Sequence, residues 1–252
     1  LLVVAALLMI PLEQRPEGYA VLAAGLLVSL SAASSFRRHV ALLFVSIGIL
    51  GLTPINTDLD SWHMTQMAAL LSLAVAVPLV VTKYIYHEQI IRFPLGRHTW
   101  TRGHIGYLLL AFTLSYLILP LWMQSTGGHH NWTVLSDPYH LLMLFLGTNA
   151  LGIWDELFFI VTVLALLRRH LPFYQANIIQ AVLFSGFLYE LGFRGWAPLL
   201  IFPFALLQGE IFRRTDNLTY IIAIHLTIDA VLYLALIHAH HPSLVNTIYF
   251  TF

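Results

Sequence analysis

Long apolar runs separated by short polar turns fill the whole chain, and most runs are apolar on every side rather than along one face. A bilayer core of about 30 Å needs about 20 apolar residues per helix, so each run reads as a candidate membrane span. The runs cover 1–12, 17–36, 39–55, 66–86, 105–124, 140–167, 176–193, 195–212 and 218–237. They predict an all-α, multi-spanning transmembrane helical bundle of about eight to nine helices. The first run, Leu1 to Leu12, is short and starts without Met, as expected of a fragment or of a chain that has lost an upstream segment.

Composition turns this pattern into a statement about solvent. Hydrophobic residues make up 59% of the chain and charged residues 10%, against roughly 45–50% and about 25% in soluble domains. Twelve basic residues balance twelve acidic ones, which speaks against a nucleic-acid partner, since that would call for a clustered basic face. The chain has no cysteine, which excludes disulfides and thiolate metal sites. Threading the spans alternately puts Arg37, Arg38, Lys83, Arg92, Arg97, Arg102, Arg168, Arg169, Arg213 and Arg214 on one side, with Arg15 and Arg194 on the other. The positive-inside rule makes the first side cytoplasmic, and the expected location is a multi-pass position in a bacterial cytoplasmic membrane.

Between the spans, residues 87–104 carry Pro94 and Gly96 and read as an interfacial loop or a short helix. On the opposite side lie His129, His130, His238, His240 and His241, either solvated imidazoles or metal ligands. Asn131-Trp132-Thr133 fits the three-residue glycosylation acceptor pattern.

The chemistry lies in ionisable residues within the spans. Each costs about 2.5–3.5 kcal/mol on insertion scales, so such groups face a bundle interior or a wet cavity. Asp155 and Glu156 lie about 18–20 Å from Arg168 and Arg169 at helical rise. His225 and Asp229 share a helix face at i,i+4, with His225 about 17 Å from Arg214, so the two polar sites match in depth. Glu190 lies near the outer end of an intervening helix, four residues before Arg194, where an i,i+4 salt bridge is the plain structural reading. The cost of burying these acids and the imidazole falls if they meet, so Asp155, Glu156, Glu190, His225 and Asp229 are expected to converge. Two adjacent carboxylates in a dry site favour one that holds its proton and one that acts as base. The histidine would orient water or stabilise an oxyanion, with Asp229 setting its tautomer. This equipment suits amide hydrolysis; the bland alternative for His225 and Asp229 is a polar staple between helices.

Around these residues, over about 140–240, the sequence resembles the CPBP family of intramembrane proteases, named for CAAX proteases and bacteriocin-processing enzymes and also called the Abi family. Asp155-Glu156-Leu157-Phe158-Phe159-Ile160 resembles its EExxxR motif, Phe184-Ser185-Gly186-Phe187-Leu188 its FxxxH motif, and His225-Leu226-Thr227-Ile228-Asp229 its HxxxN/D motif. Ile160 stands where the family has Arg, Leu188 where it has His, and Asp155 shortens the first acid by one methylene. The resemblance divides one membrane domain into N-terminal helices, 1–139, and a protease-like core, 140–240. It implies a conical bundle in which Asp155 or Glu156 activates water while His225 and Asp229 bind that water or stabilise the oxyanion. Glu190 would replace the missing histidine only if its helix were rotated or bulged, because two residues turn a helix by about 200°.

The implied substrate is a membrane peptide or protein, prenylated or not, and a divalent metal stays open. Two other classes fit the same residues. One is a catalytically silent relative that binds membrane peptides or scaffolds a complex, as the departures at Ile160 and Leu188 suggest; the other is a proton-coupled carrier with a carboxylate relay.

Overall fold

The computed structural model describes residues 1–96 and 100–245 and is a helical bundle in which the described residues form nine helices and no strand. They are α1 (Leu2–Met9), α2 (Arg15–Ser29), α3 (Ser34–Leu50), α4 (Ser61–Ile85), α5 (Arg102–Thr126), α6 (Pro138–Leu167), α7 (Phe173–Glu190), α8 (Pro198–Thr215) and α9 (Leu218–His240). Four of them, α4, α5, α6 and α9, are long and apolar enough to cross a membrane by themselves. The chain is an integral membrane protein. The segment after α4 is irregular through Gly96, and Arg97 lies outside the described residues.

Polar residues start the long helices. Asp60 accepts from the backbone N–H groups of Trp62 and His63 at the start of α4, Asp137 from His140 at the start of α6, and Asn217 from Tyr220 at the start of α9. Each side chain satisfies donors that an α-helix leaves unpaired in its first turn, which in lipid has no water to replace it. Pro78 inside α4 removes the N–H that would bind the Ala74 carbonyl. The Ser46 hydroxyl of α3 donates to that carbonyl at 2.9 Å, joining the two helices where the backbone is broken.

α6 is the central helix. It contacts α4, α7, α8 and α9, and Trp154 ties it to α4 by donating to the Leu71 carbonyl at 2.7 Å. From Glu156 to Leu164 it widens into a π-helix, and every side chain from Phe158 to Leu164 is buried. Thr162 closes one wide turn by donating its hydroxyl to the Leu157 carbonyl at 2.9 Å. Wide turns of this kind are rare and are found frequently at functional sites.

The basic residues gather at one end. Arg38 pairs with Glu88 at 3.4 Å, His39 bonds His170 at 2.8 Å, and Arg213 lies over the Phe173 ring at 4.9 Å. These contacts tie the start of α3, the exit of α4, the exit of α6, the start of α7 and the end of α8 to one face. Arg15 and Arg194 lie at the other end, beside Glu13 and Glu190.

Candidate functional site

His225, on the inner face of α9, is clamped by acids on both edges of its ring. On one edge Nδ1 meets Glu156 Oε1 at 2.8 Å. On the other, Nε2 lies 3.7 Å from Asp155 Oδ2 and 3.9 Å from Asp229 Oδ1. The adjacent acids of α6 therefore serve opposite nitrogens of one imidazole instead of facing each other. Asp155 continues the α6 face formed by Thr148, Leu151 and Gly152, which lines a cavity, while Glu156 turns away from it toward α8 and α9. The four groups are 1 to 7% exposed, so all of them are buried.

Two further features set the ring. Phe184, the phenylalanine of the second motif, presents its ring at 68° with centroids 6.0 Å apart, and Phe204 of α8 stands perpendicular at 5.7 Å. These walls, with the Glu156 bond, hold the imidazole in one orientation. Gly152 makes room on the third side: a Cβ there would run into the Asp229 carboxylate and come within 3.1 Å of the ring.

Gln208 of α8 is the residue the sequence did not reveal. It is 1% exposed and donates through Nε2 to Glu156 Oε1 at 2.8 Å and to the Ile221 carbonyl at 3.2 Å. A glutamine in an apolar run gives no pattern of its own; the signal available was only that a buried amide must find partners. Its neighbours on α7, Asn177 and Gln180, donate to the Leu206 and Ala205 carbonyls at 2.9 Å and lock α7 to α8.

Three carboxylate oxygens of the cluster, Asp155 Oδ1, Glu156 Oε2 and Asp229 Oδ2, are buried without a protein hydrogen bond. Polar atoms of this kind mark where a ligand or water belongs. Asp155, Asp229 and His225 share the wall of a cavity of about 390 Å³ with mostly apolar side chains from α5, α6, α8 and α9. A second cavity of about 310 Å³ lies between α4 and α6, and Thr57, Trp132, Thr148 and Leu151 line both.

Glu190 does not join the others. α7 runs as a regular α-helix to that residue, without the bulge that would swing it inward. Leu188 lines the cavity, whereas Glu190, two positions and about 200° further round, pairs with Glu13 and faces Arg194 and Arg15. Ile160 is packed in the apolar core of the π segment.

Among the described residues no group of three or more His, Cys, Asp or Glu side chains is arranged to hold a metal ion. In the outer histidine group, the His129 ring lies 4.0 Å from His130 and 5.7 Å from His240 by centroids, and His241 and His240 bond the Val134 and Leu236 carbonyls. The Asn131 amide donates to the Gly192 carbonyl at 2.6 Å.

Residues 137–231 match the family model described as Type II CAAX prenyl endopeptidase, Rce1-like. The matched segment contains all three motif positions and all four residues clustered at His225, and it bears out the resemblance to the CPBP family drawn from those motifs. No curated protein and no solved structure matches the chain.

Proposed function

We propose that the chain is a CAAX-protease-like intramembrane peptidase that hydrolyses a peptide bond in a membrane peptide or protein, with water as the nucleophile. The observation that carries this reading is the imidazole fixed between Glu156 and the Asp155–Asp229 pair, on the wall of a cavity, with unsatisfied carboxylate oxygens beside it.

The geometry supports the following roles within this reading. His225 Nε2 and Asp155 Oδ2, 3.7 Å apart, are too far apart to bond directly, and both line the cavity, from which one water can reach the two of them side-on. Asp155 takes a proton from that water as its oxygen bonds to the scissile carbonyl carbon, and the same proton passes to the amide nitrogen as the C–N bond breaks. Atoms balance: one water and one peptide bond give one carboxyl group and one amine. Glu156, held by Gln208, accepts from Nδ1–H and so fixes the ring. Asp229, whose Oδ1 lies 3.9 Å from Nε2 on the same side of the ring, helps hold that water.

The test is cleavage of membrane peptides, with and without a prenyl group, by the purified protein. General acid–base groups contribute about 10²–10⁴-fold, so Asp155→Ala and His225→Ala should lower the rate by at least about a hundredfold. A parent protein that cleaves nothing in either set would favour the second reading, a silent peptide-binding relative. That reading has its own observation: the cavity wall carries Leu188 where the family motif has an imidazole.

A further inference from the structure

Four guanidinium groups gather where α6 ends, α7 begins and α8 closes its last turn. Arg168 and Arg169 follow Leu167, the last residue of α6, and Arg213 and Arg214 lie in the last turn of α8. All four are exposed. Arg168 and Arg213 share one aromatic side chain: their guanidinium carbons lie 5.4 and 4.9 Å from the centre of the Phe173 ring, at the first residue of α7. Glu210 pairs with Arg213 and Arg214. Among the described residues neither Arg168 nor Arg169 has a carboxylate partner, and Asp216, just past α8, pairs with none of the four.

Two cations drawn to one ring repel each other, and an exposed cation–π contact is weak compensation, so the arrangement favours an anion between them. No side chain caps the first turn of α7, and the positive end of that helix adds to the same field. Position relative to the bilayer decides which anion fits. α6 is apolar enough to span the membrane up to Leu167, so Arg168 stands at the depth of the lipid headgroups. Tyr174, 71% exposed and beside Arg213, and Ile178, one turn along α7 and 48% exposed, form an apolar flank that leads from the arginines into the hydrocarbon. A guanidinium meets a phosphodiester through two parallel N–H···O bonds.

We propose that Arg168 and Arg213, carried on the Phe173 ring, bind the headgroup phosphate of an anionic phospholipid, whose acyl chain runs along α7 over Tyr174 and Ile178. A free phosphate would meet the charges but leave the apolar flank unused. A zwitterionic lipid would bring its own ammonium group against the four arginines. The site shares no residue with the His225 cluster, so it stands apart from the peptidase reading.

The test is lipid binding by the purified chain in neutral detergent micelles, read as intact protein–lipid complexes by native mass spectrometry during titration with phosphatidylglycerol or phosphatidylcholine. Phosphatidylglycerol should bind saturably at one copy, phosphatidylcholine about tenfold more weakly or worse, and excess inorganic phosphate should not displace the bound lipid. Each basic residue near a lipid surface is worth roughly a fivefold change in binding. Arg168→Gln combined with Arg213→Gln should therefore weaken phosphatidylglycerol binding more than about tenfold. Lys83→Gln combined with Arg102→Gln removes the same charge from the end of α4 and the start of α5 and should leave binding nearly unchanged. Phe173→Leu keeps every charge but loses the shared ring, and should weaken binding about threefold. Equal weakening by the two charge-removing pairs would reduce the site to a diffuse field. Equal binding of phosphatidylcholine, displacement by inorganic phosphate, or no retained lipid would each overturn the proposal as well. Should the Arg168 and Arg213 double variant fail to fold, Phe173→Leu decides, and unchanged binding there overturns the site.

Discussion

Replacing Gln208 with leucine separates a working polar site from an ordinary interhelical staple. Leucine is one bond shorter and branched at Cγ, so some packing is lost, and both Nε2 hydrogen bonds disappear: 2.8 Å to Glu156 Oε1 and 3.2 Å to the Ile221 carbonyl. Glu156 then keeps only His225 as a donor, with Oε2 already unpartnered. A hydrogen bond to a charged acceptor contributes about 1.5–3 kcal/mol, whereas side-chain bonds between membrane helices average about 0.6 kcal/mol. The two cases differ enough to measure. Unfolding of the purified protein in detergent micelles, run as a double-mutant cycle of Gln208→Leu against Glu156→Leu, isolates the pair, because the loss at His225 appears in both arms and cancels. A coupling energy above about 1.5 kcal/mol is expected if the amide holds Glu156 for the site. Zero coupling would refute the assignment, and a value near about 0.6 kcal/mol would reduce the pair to a neutral staple. In a cleavage assay the same substitution should lower kcat about tenfold, equivalent to about 1.4 kcal/mol of barrier, with KM little changed.

Gly152→Ala should destabilise the fold by about 1–3 kcal/mol, the usual cost of overpacking, because the added methyl group meets the Asp229 carboxylate; a thermal midpoint equal to the parent's would show that α6 and α9 can part there. Glu156→Gln keeps an acceptor for Nδ1–H, so it should retain more cleavage activity than Asp155→Asn, and the reverse order would exchange the roles of the two acids. Stability should fall with acid through the turn 168–172. There burial, with His39 and Arg169 close by, holds the His170 imidazole below the usual histidine range despite Glu88. The native protein therefore binds fewer protons than the unfolded chain, so its stability rises with pH and is lost as pH drops below about 6.5. A thermal midpoint that falls equally in His170→Gln and the parent between pH 7.5 and 5.5 would assign the effect to other groups.

What the sequence determined by itself was whatever depends on local composition and on rise along a helix. Apolar length marked the helices, Asp60, Asp137 and Asn217 capped three of the long ones, and the matched depths of Glu156 and His225 followed from counting residues to Arg168 and Arg214. The motif order within 137–231 was equally legible, since it is a matter of spacing. Tertiary structure decided the rest, because it turns on which side chains meet across helices. Only packing tells that Asp155 and Glu156 serve opposite edges of one ring, or that α6 widens to i,i+5 bonding at Glu156, since no residue type encodes that wider turn. Gln208 had no signature until α8 lay against α6 and α9, and Glu190, at a plausible depth, faces Glu13 because helix rotation, not depth, sets direction. Depth is one-dimensional and readable from the chain; azimuth is fixed by neighbours, and it is azimuth that builds the site.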